Sequence, residues 1–199
     1  MIEAIATLIT TTFLLLGSPG PAPLALAATG ASHGFRNGIP FLAGILAGLA
    51  VAIVGAIVGL ATLFASFPEL RVTIQILGSA YICYIAFKIA TAPIIDSDAG
   101  PKIGAPGFAD GFILNLLNPK AYAAFLAIFS GLLLPLMEIT LSFLATGIIC
   151  FLVAVIVDIL WLYFGDLLRP LFRKPREARI LRSTFAILMV AAVLLTFSL

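Results

Sequence analysis

Long apolar stretches dominate this sequence, and short polar segments separate them. A helix of about 20 mostly apolar residues can cross the roughly 30 Å hydrocarbon core of a bilayer. The apolar stretches near 4–28, 39–64, 70–91, 108–134, 139–166 and 181–198 meet this requirement. The pattern therefore predicts an all-α integral membrane protein with six transmembrane helices.

A polar segment rich in Gly and Pro interrupts the pattern at about residues 93–107 and is the longest predicted connection. Such segments are typical of linkers. We expect a single transmembrane domain over residues 1–199, with three spans at about 1–92 and three more at about 108–199.

Prolines break the first and fourth spans at corresponding places. Three prolines fall within 17–23, where one helix cannot continue, and span four is interrupted at 115–119. Pro119 lies 98 positions after Pro21. Because three spans reverse the direction of chain entry, a repeat of this kind must be inverted. Inverted repeats with discontinuous helices are typical of secondary transporters.

The residues at each break suit the start of a new half-helix. Asn118 is a good N-cap and Pro119 a good first helical residue, and Gly20 and Pro21 could play the same parts in span one. Lys120 then lies in the first turn, where the helix dipole disfavours a cation unless an anion joins it. The structural alternative is a tolerated kink with Lys120 extended toward the interface.

Asp158 is the second charge deep within a span. Ionisable groups inside the membrane are costly and usually line a cavity or a proton path. Asp158 could pair with Lys120, bind a substrate ammonium group or carry a proton. A purely structural ion pair is the alternative.

The charges at the ends of the spans predict an orientation. Arg36 follows span one, and Lys88 and Lys102 flank the central linker. Six more basic residues follow span five: Arg169, Arg173, Lys174, Arg176, Arg179 and Arg182. The opposite ends carry mainly Glu3, Glu69 and Glu138, with Arg71 against the trend. The positive-inside rule therefore places the basic loops in the cytoplasm and both chain termini outside.

Composition excludes a separate soluble domain, since 62% of residues are hydrophobic, 10% are charged and the mean hydropathy is +1.22. Glu3 and the lack of an early Lys or Arg argue against a cleaved signal peptide. Cys83 and Cys150 have no metal-ligand or disulfide spacing. The one histidine, His33, is predicted in a loop and cannot form the His-Glu-x-x-His site of a metalloprotease. We expect no enzyme activity, cofactor, metal site or nucleic-acid partner.

Several segments, in this order, resemble the LysE/RhtB family of amino-acid exporters along nearly the whole chain. They are Gly17-Ser18-Pro19-Gly20-Pro21, His33-Gly34-Phe35-Arg36-Asn37-Gly38, the glycines from Gly44 to Gly59, Leu77-Gly78-Ser79-Ala80-Tyr81 before Lys88, Gly111-Phe112, and Asn115 with Asn118-Pro119-Lys120. The resemblance implies a bacterial inner-membrane protein of two inverted three-helix repeats that exports amino acids by using the proton gradient. It also suggests a homodimer, although the glycines of span two could equally serve packing within the chain.

These observations define the expected site and its alternatives. The expected substrate-binding residues are Ser18, Gly20, Pro21, Asn115, Asn118, Pro119 and Lys120, with Asp158 for the ammonium group or the proton. The alternative function is export of another small solute or a metal ion on a related fold. The expected partners are an amino acid and the lipid bilayer.

Overall fold

The computed structural model describes residues 1–59, 68–91, 104–172 and 174–197, and these residues form α-helices without any β-strand. The helices are α1 Ile2–Gly17, α2 Pro21–His33, α3 Phe35–Val58, α4 Pro68–Thr91, α5 Phe108–Leu116, α6 Pro119–Gly131, α7 Ile139–Leu167, α8 Arg169–Phe172 and α9 Pro175–Phe197. The prediction of an all-α chain is confirmed. Most of the predicted linker, including Lys102, lies outside the described residues, as does Arg173.

Two continuous helices, α3 and α7, are long and apolar enough to cross a membrane, each with a mean hydropathy of 2.7. Within the described residues the number rises to four if α1 with α2, and α5 with α6, each count as one bent span. In α4 the apolar stretch is shorter and covers Ser79–Thr91. The first turn of α9 contains Glu177. Helix α4 overlaps predicted span three, and helix α9 overlaps predicted span six.

Both predicted helix breaks are present. The axes of α1 and α2 differ by 64°, and those of α5 and α6 differ by 55°. Each second half-helix begins with a proline, Pro21 in α2 and Pro119 in α6. A proline has no N–H to donate and its fixed φ suits the first helical position, so both prolines start a helix instead of kinking one.

One smaller prediction was wrong. His33 is not in a loop, because it is the last residue of α2, which ends at Gly34 with a φ of 86°. Helix α3 ends at Val58 because Gly59 adopts the left-handed conformation with φ 99°. Residues 60–64 of the second predicted span lie outside the described residues. Glycine takes a positive φ without steric cost, so both glycines end helices.

Helix α2 lies at the centre of the bundle. Its residues from Pro21 to Ala31 are all buried, and it contacts α3, α4, α7 and α9. A helix that is apolar and buried all round belongs to the protein interior. At the break that precedes α2, Gly20 is buried, whereas Ser18 and Pro19 are exposed.

Glycines allow α3 and α5 to approach at backbone distance. A Cβ added to Gly44 would overlap the carbonyl oxygen of Phe108, and one added to Gly111 would overlap that of Phe41. A Cβ on Gly48 would lie 2.8 Å from the carbonyl oxygen of Phe112. The glycines at 44 and 48 thus serve a contact within the chain, which is the packing role predicted for span two.

Candidate functional site

The two helix breaks meet through Lys120. Its Nζ donates a hydrogen bond to the carbonyl oxygen of Ser18 at 2.5 Å and another to Ser18 Oγ at 2.8 Å. The side chain passes directly over Gly20, where an added Cβ would lie 2.9 Å from both Cδ and Nζ of Lys120. The absence of a side chain at Gly20 therefore gives Lys120 its path from α6 to the first break.

Unwinding at the first break frees backbone carbonyls that a continuous helix would use. Ser18 is extended, with φ −64° and ψ 146°, and Gly20 is fully extended with φ −170°. The carbonyl of Gly17 accepts a hydrogen bond from Trp161 Nε1 at 3.1 Å. Side chains from two different helices, α6 and α7, thus satisfy consecutive carbonyls of the break.

The second break is held by two buried asparagines. Asn118 caps α6 as predicted, because its Oδ1 accepts the N–H of Lys120 at 3.2 Å. Asn118 Nδ2 donates to Asn115 Oδ1 at 3.4 Å, and Asn115 Nδ2 donates to the carbonyl of Ile45 in α3 at 3.1 Å. These contacts connect the break to α3 and satisfy the buried amide groups.

Asp158 in α7 faces the same interior space as Lys120. Its side chain is 7% exposed, and the carboxylate makes no hydrogen bond or ion pair within 4 Å to any residue that the structure describes. Both residues line one cavity. The cation and the acid therefore face each other across a gap, because Ser18 accepts the hydrogen bonds of the Lys120 ammonium group.

We call this space the Lys120/Asp158 cavity. It is lined by Leu16, Ala22, Pro23, Leu49, Asn115, Asn118, Lys120, Ala121, Ala154 and Asp158. The cavity has a volume of about 20 Å³. Such a volume accommodates about one water molecule. The apolar lining groups on either side would contact the uncharged part of a small molecule if the cavity widened.

The structure brings the predicted site residues together in three ways. Asn115, Asn118, Lys120 and Asp158 line the cavity itself. Two more, Ser18 and Gly20, contact the Lys120 side chain. The last two, Pro21 and Pro119, are the first residues of the half-helices and set their direction.

Sequence reasoning missed two residues that hold the breaks in place. Trp161 is the single tryptophan of the chain and lies three positions after Asp158, so it is about one helical turn further along α7. Tyr122 donates from its hydroxyl to the carbonyl of Leu116 at 2.7 Å, at the end of α5. The available signal for both was a polar aromatic residue within one turn of a buried charge or a helix break, since such a residue can donate a hydrogen bond to the freed carbonyls.

The described residues contain no group of three or more His, Cys, Asp or Glu side chains placed to hold a metal ion. Cys83 and Cys150 are free thiols, one exposed and one buried. The Sγ of Cys150 lies 3.5 Å from Thr12 Oγ1, a contact that joins α7 to α1.

Comparison with known proteins agrees with this architecture. The LysE type translocator family profile matches residues 13–198. A cysteine/O-acetylserine efflux protein of Salmonella choleraesuis (strain SC-B67) is 30% identical over 182 residues, which cover 91% of each chain. A homoserine/homoserine lactone efflux protein of Salmonella typhimurium is 26% identical over 188 residues, covering 93% of this chain and 91% of the relative.

A leucine efflux protein of Klebsiella pneumoniae is 30% identical over 115 residues, which cover 56% of this chain and 54% of the relative. No solved structure matches the chain at a significant level. The family match includes both helix breaks and nearly all of the described helices. The chain is therefore a member of the LysE type translocator family, a family with relatives named as amino-acid efflux proteins.

Proposed function

We propose that this chain is a secondary active transporter that exports amino acids or close derivatives from the cytoplasm. The observation that carries the proposal is the Lys120/Asp158 cavity, where one ammonium group and one carboxylate line a small space beside two broken helices. An amino acid carries the complementary pair of charges. The names of the relatives, which refer to cysteine, O-acetylserine, homoserine and leucine, support an amino-acid substrate.

Lys120 recognises the substrate carboxylate in this proposal. The first-turn donors of α6 are already used, since the N–H of Lys120 bonds to Asn118 Oδ1 and that of Ala121 bonds to the Asn118 carbonyl. At the start of α2, Pro21 and Pro23 lack N–H groups, so Ala22 alone among the first three residues can donate from its backbone. The mobile ammonium group of Lys120 is therefore the main donor, and a bound carboxylate would replace Ser18 as its acceptor.

Asp158 binds the substrate ammonium group or takes up the proton that drives export. A buried carboxylate without a hydrogen-bonded partner is costly while charged, so a cation or a proton stabilises it. Either event changes the net charge of the cavity. If substrate and proton compete for one carboxylate, the transporter carries one of them in each direction. Such mutually exclusive binding is the requirement of antiport.

The small volume of the cavity indicates that transport requires a change of conformation. A space of about 20 Å³ cannot hold an amino acid, which is several times larger than one water molecule. We infer that the described conformation is too narrow at the site to hold substrate. Alternating access would open the cavity to each side in turn by moving the half-helices relative to α3 and α7.

We also propose six spans in two inverted repeats, residues about 1–92 and 108–199, with the basic loops in the cytoplasm. If the two repeats are equivalent, span one corresponds to span four and span five corresponds to span two. Whole spans make the contacts that this correspondence requires, span one with span five and span four with span two: α2 packs on α7 where a Cβ on Gly165 would overlap the Ala27 carbonyl, and α5 packs on α3 at Gly44 and Gly111. The half-helices in these two contacts, α2 and α5, are not the equivalent ones, so the correspondence applies to spans only. Helices α4 and α9, the third of each repeat, pack on each other.

Purified protein in proteoliposomes provides the test of function. Vesicles loaded with labelled cysteine, O-acetylserine, homoserine or leucine should release at least one of them faster than protein-free vesicles, and an opposing proton gradient should accelerate the release. Choline and acetate, which each carry only one of the two charges, serve as matched solutes, and the protein should not release them faster than protein-free vesicles do. Failure to move any amino acid in either direction, by a protein shown to be folded, would exclude the proposed function.

A further inference from the structure

A second and larger pocket lies at the other end of α2 and α7, away from the proposed transport site. It is lined by His33, Gly34, Phe35, Arg36, Asn37, Tyr163, Asp166 and Arg169. The volume open to water-sized spheres is about 560 Å³. We call it the Arg36/Arg169 pocket. Most of its residues come from the turn between α2 and α3, a segment for which the transport mechanism above has no role.

The pocket presents two arginines without acceptors. Arg36 and Arg169 are exposed, and neither makes a hydrogen bond or an ion pair within 4 Å to any other described residue. A Cβ on Gly34 would lie 2.8 Å from Nη1 of Arg169 and 3.4 Å from Oδ1 of Asp166. One carboxylate thus lines the same pocket as two guanidinium groups. The formal charge of this set is +1, which a monoanion such as a phosphodiester would neutralise.

The pocket does not continue to the transport site. No residue lines both spaces. Between them α2 and α7 touch at backbone distance, since a Cβ on Gly30 would overlap the carbonyl of Leu162. A ligand in the Arg36/Arg169 pocket would therefore stay there in this conformation and not proceed toward Lys120.

The rim of the pocket joins the apolar outer surface of α7. Tyr163 is 51% exposed, and its ring makes an edge-to-face contact with Phe35 at a centroid distance of 6.4 Å. Leu160, Phe164 and Leu167 next to it are also exposed. In a membrane protein such a surface faces lipid, and aromatic rings with a polar end favour the headgroup level. The pocket thus has a cationic part and an apolar part side by side, an arrangement that suits the level of the lipid headgroups.

We propose that the Arg36/Arg169 pocket binds the phosphodiester of an anionic phospholipid. The two guanidinium groups hold the phosphate oxygens in the planar, paired geometry that arginine provides. Tyr163 and Phe35 contact the glycerol and upper acyl chain, and Asp166 offsets one positive charge so that a monoanion completes the balance. The binding is independent of the transport proposal.

Phosphatidylglycerol provides the probe, with the full-length protein purified in a neutral detergent. Native mass spectrometry would measure its dissociation constant in competition with phosphatidylcholine. Each arginine near a membrane surface contributes about 1 kcal/mol to anionic lipid binding. We therefore expect about fivefold weaker binding for Arg36→Gln or Arg169→Gln and about 25-fold weaker binding for the double variant. The matched control is Arg176→Gln/Arg179→Gln, which changes two exposed arginines outside the pocket and should leave the constant within about twofold.

Further measurements distinguish the source of the phosphate. Glycerol phosphate and inorganic phosphate should compete at least about tenfold less well than phosphatidylglycerol, because they lack the apolar part and its burial. A test on the wild type does not depend on whether a variant folds. In the wild type, higher salt should weaken the preference for phosphatidylglycerol over phosphatidylcholine. Equal competition by the water-soluble phosphates would show a free-anion site instead. Equal loss in the control variant, or a preference that salt does not change, would overturn the proposal.

Discussion

Removal of the Lys120 charge is the perturbation with the clearest expected effect. The Lys120→Ala variant loses the ammonium group that joins the two breaks and, in our proposal, recognises the substrate carboxylate. The cap of α6 does not depend on this side chain, because Asn118 bonds to the backbone N–H of residue 120. We therefore expect a protein that still inserts and folds but exports poorly.

The size of the expected loss follows from a comparison of two partners of Lys120, the substrate carboxylate and Ser18. An ammonium and a carboxylate about 4 Å apart attract by about 4 kcal/mol at an effective dielectric constant of about 20. The resting Lys120 already donates to Ser18, and hydrogen bonds of charged groups contribute about 1.5–3 kcal/mol. The net gain on binding a carboxylate is then about 2 kcal/mol. Its loss should weaken substrate binding about 30-fold.

The assay is the initial rate of amino-acid release from proteoliposomes at a substrate concentration below the wild-type KM. Lys88→Ala is the matched control, since Lys88 is an exposed lysine of α4 whose Nζ lies 5.4 Å from the Tyr84 ring centre. It should retain the wild-type rate. A second variant, Lys120→Ala/Asp158→Asn, removes both charges and tests whether an unpaired Asp158 harms folding.

Wild-type export by Lys120→Ala would refute this reasoning, because no other cationic side chain lines the Lys120/Asp158 cavity as the structure describes it. Equal losses in Lys88→Ala and Lys120→Ala would also count against it. Such a result would indicate a general effect of charge on insertion. The family membership would stand in either case.

Three further predictions concern Asp158, Trp161 and the orientation. Asp158→Asn should either remove the effect of a proton gradient on export or weaken binding of the substrate ammonium group; unchanged pH dependence and unchanged KM together would remove Asp158 from the site. Trp161→Phe keeps an aromatic ring but loses the 3.1 Å hydrogen bond to the Gly17 carbonyl, an interaction worth about 1 kcal/mol, so it should modestly lower both the maximal rate and the melting temperature; a variant identical to wild type in both would show that the bond does not hold the break. A C-terminal alkaline phosphatase fusion should be active outside the cytoplasm, whereas a C-terminal reporter that is active only in the cytoplasm would contradict the proposed orientation.

The helix breaks could be predicted because they depend on local chemistry. Proline cannot donate a backbone hydrogen bond, and asparagine can cap a helix through its own side chain, so Pro21, Asn118 and Pro119 favour the start of a half-helix through local chemistry alone. The all-α fold follows in the same way from the length of the apolar stretches. These features require no knowledge of which helices are neighbours.

The contacts between helices could not be predicted from the sequence alone. The Lys120 bond to Ser18 joins residues 102 positions apart, and the Trp161 bond to Gly17 joins residues 144 positions apart. Their partners are backbone carbonyls, which every residue has, so no residue type marks them. A pairing of Lys120 with Asp158 was one of three possibilities that the sequence left open for Asp158; in the structure the carbonyl and hydroxyl of Ser18 are the acceptors for the ammonium group.

The most direct test of the central claim is to ask which end of the substrate Lys120 recognises. The best-transported amino acid and its carboxamide, which lacks the negative charge, would be compared as competitors of release by the wild type and by Lys120→Ala. Our account predicts that the wild type prefers the amino acid about 30-fold and that Lys120→Ala treats both alike. An unchanged preference in Lys120→Ala would contradict the assignment of Lys120 to the carboxylate.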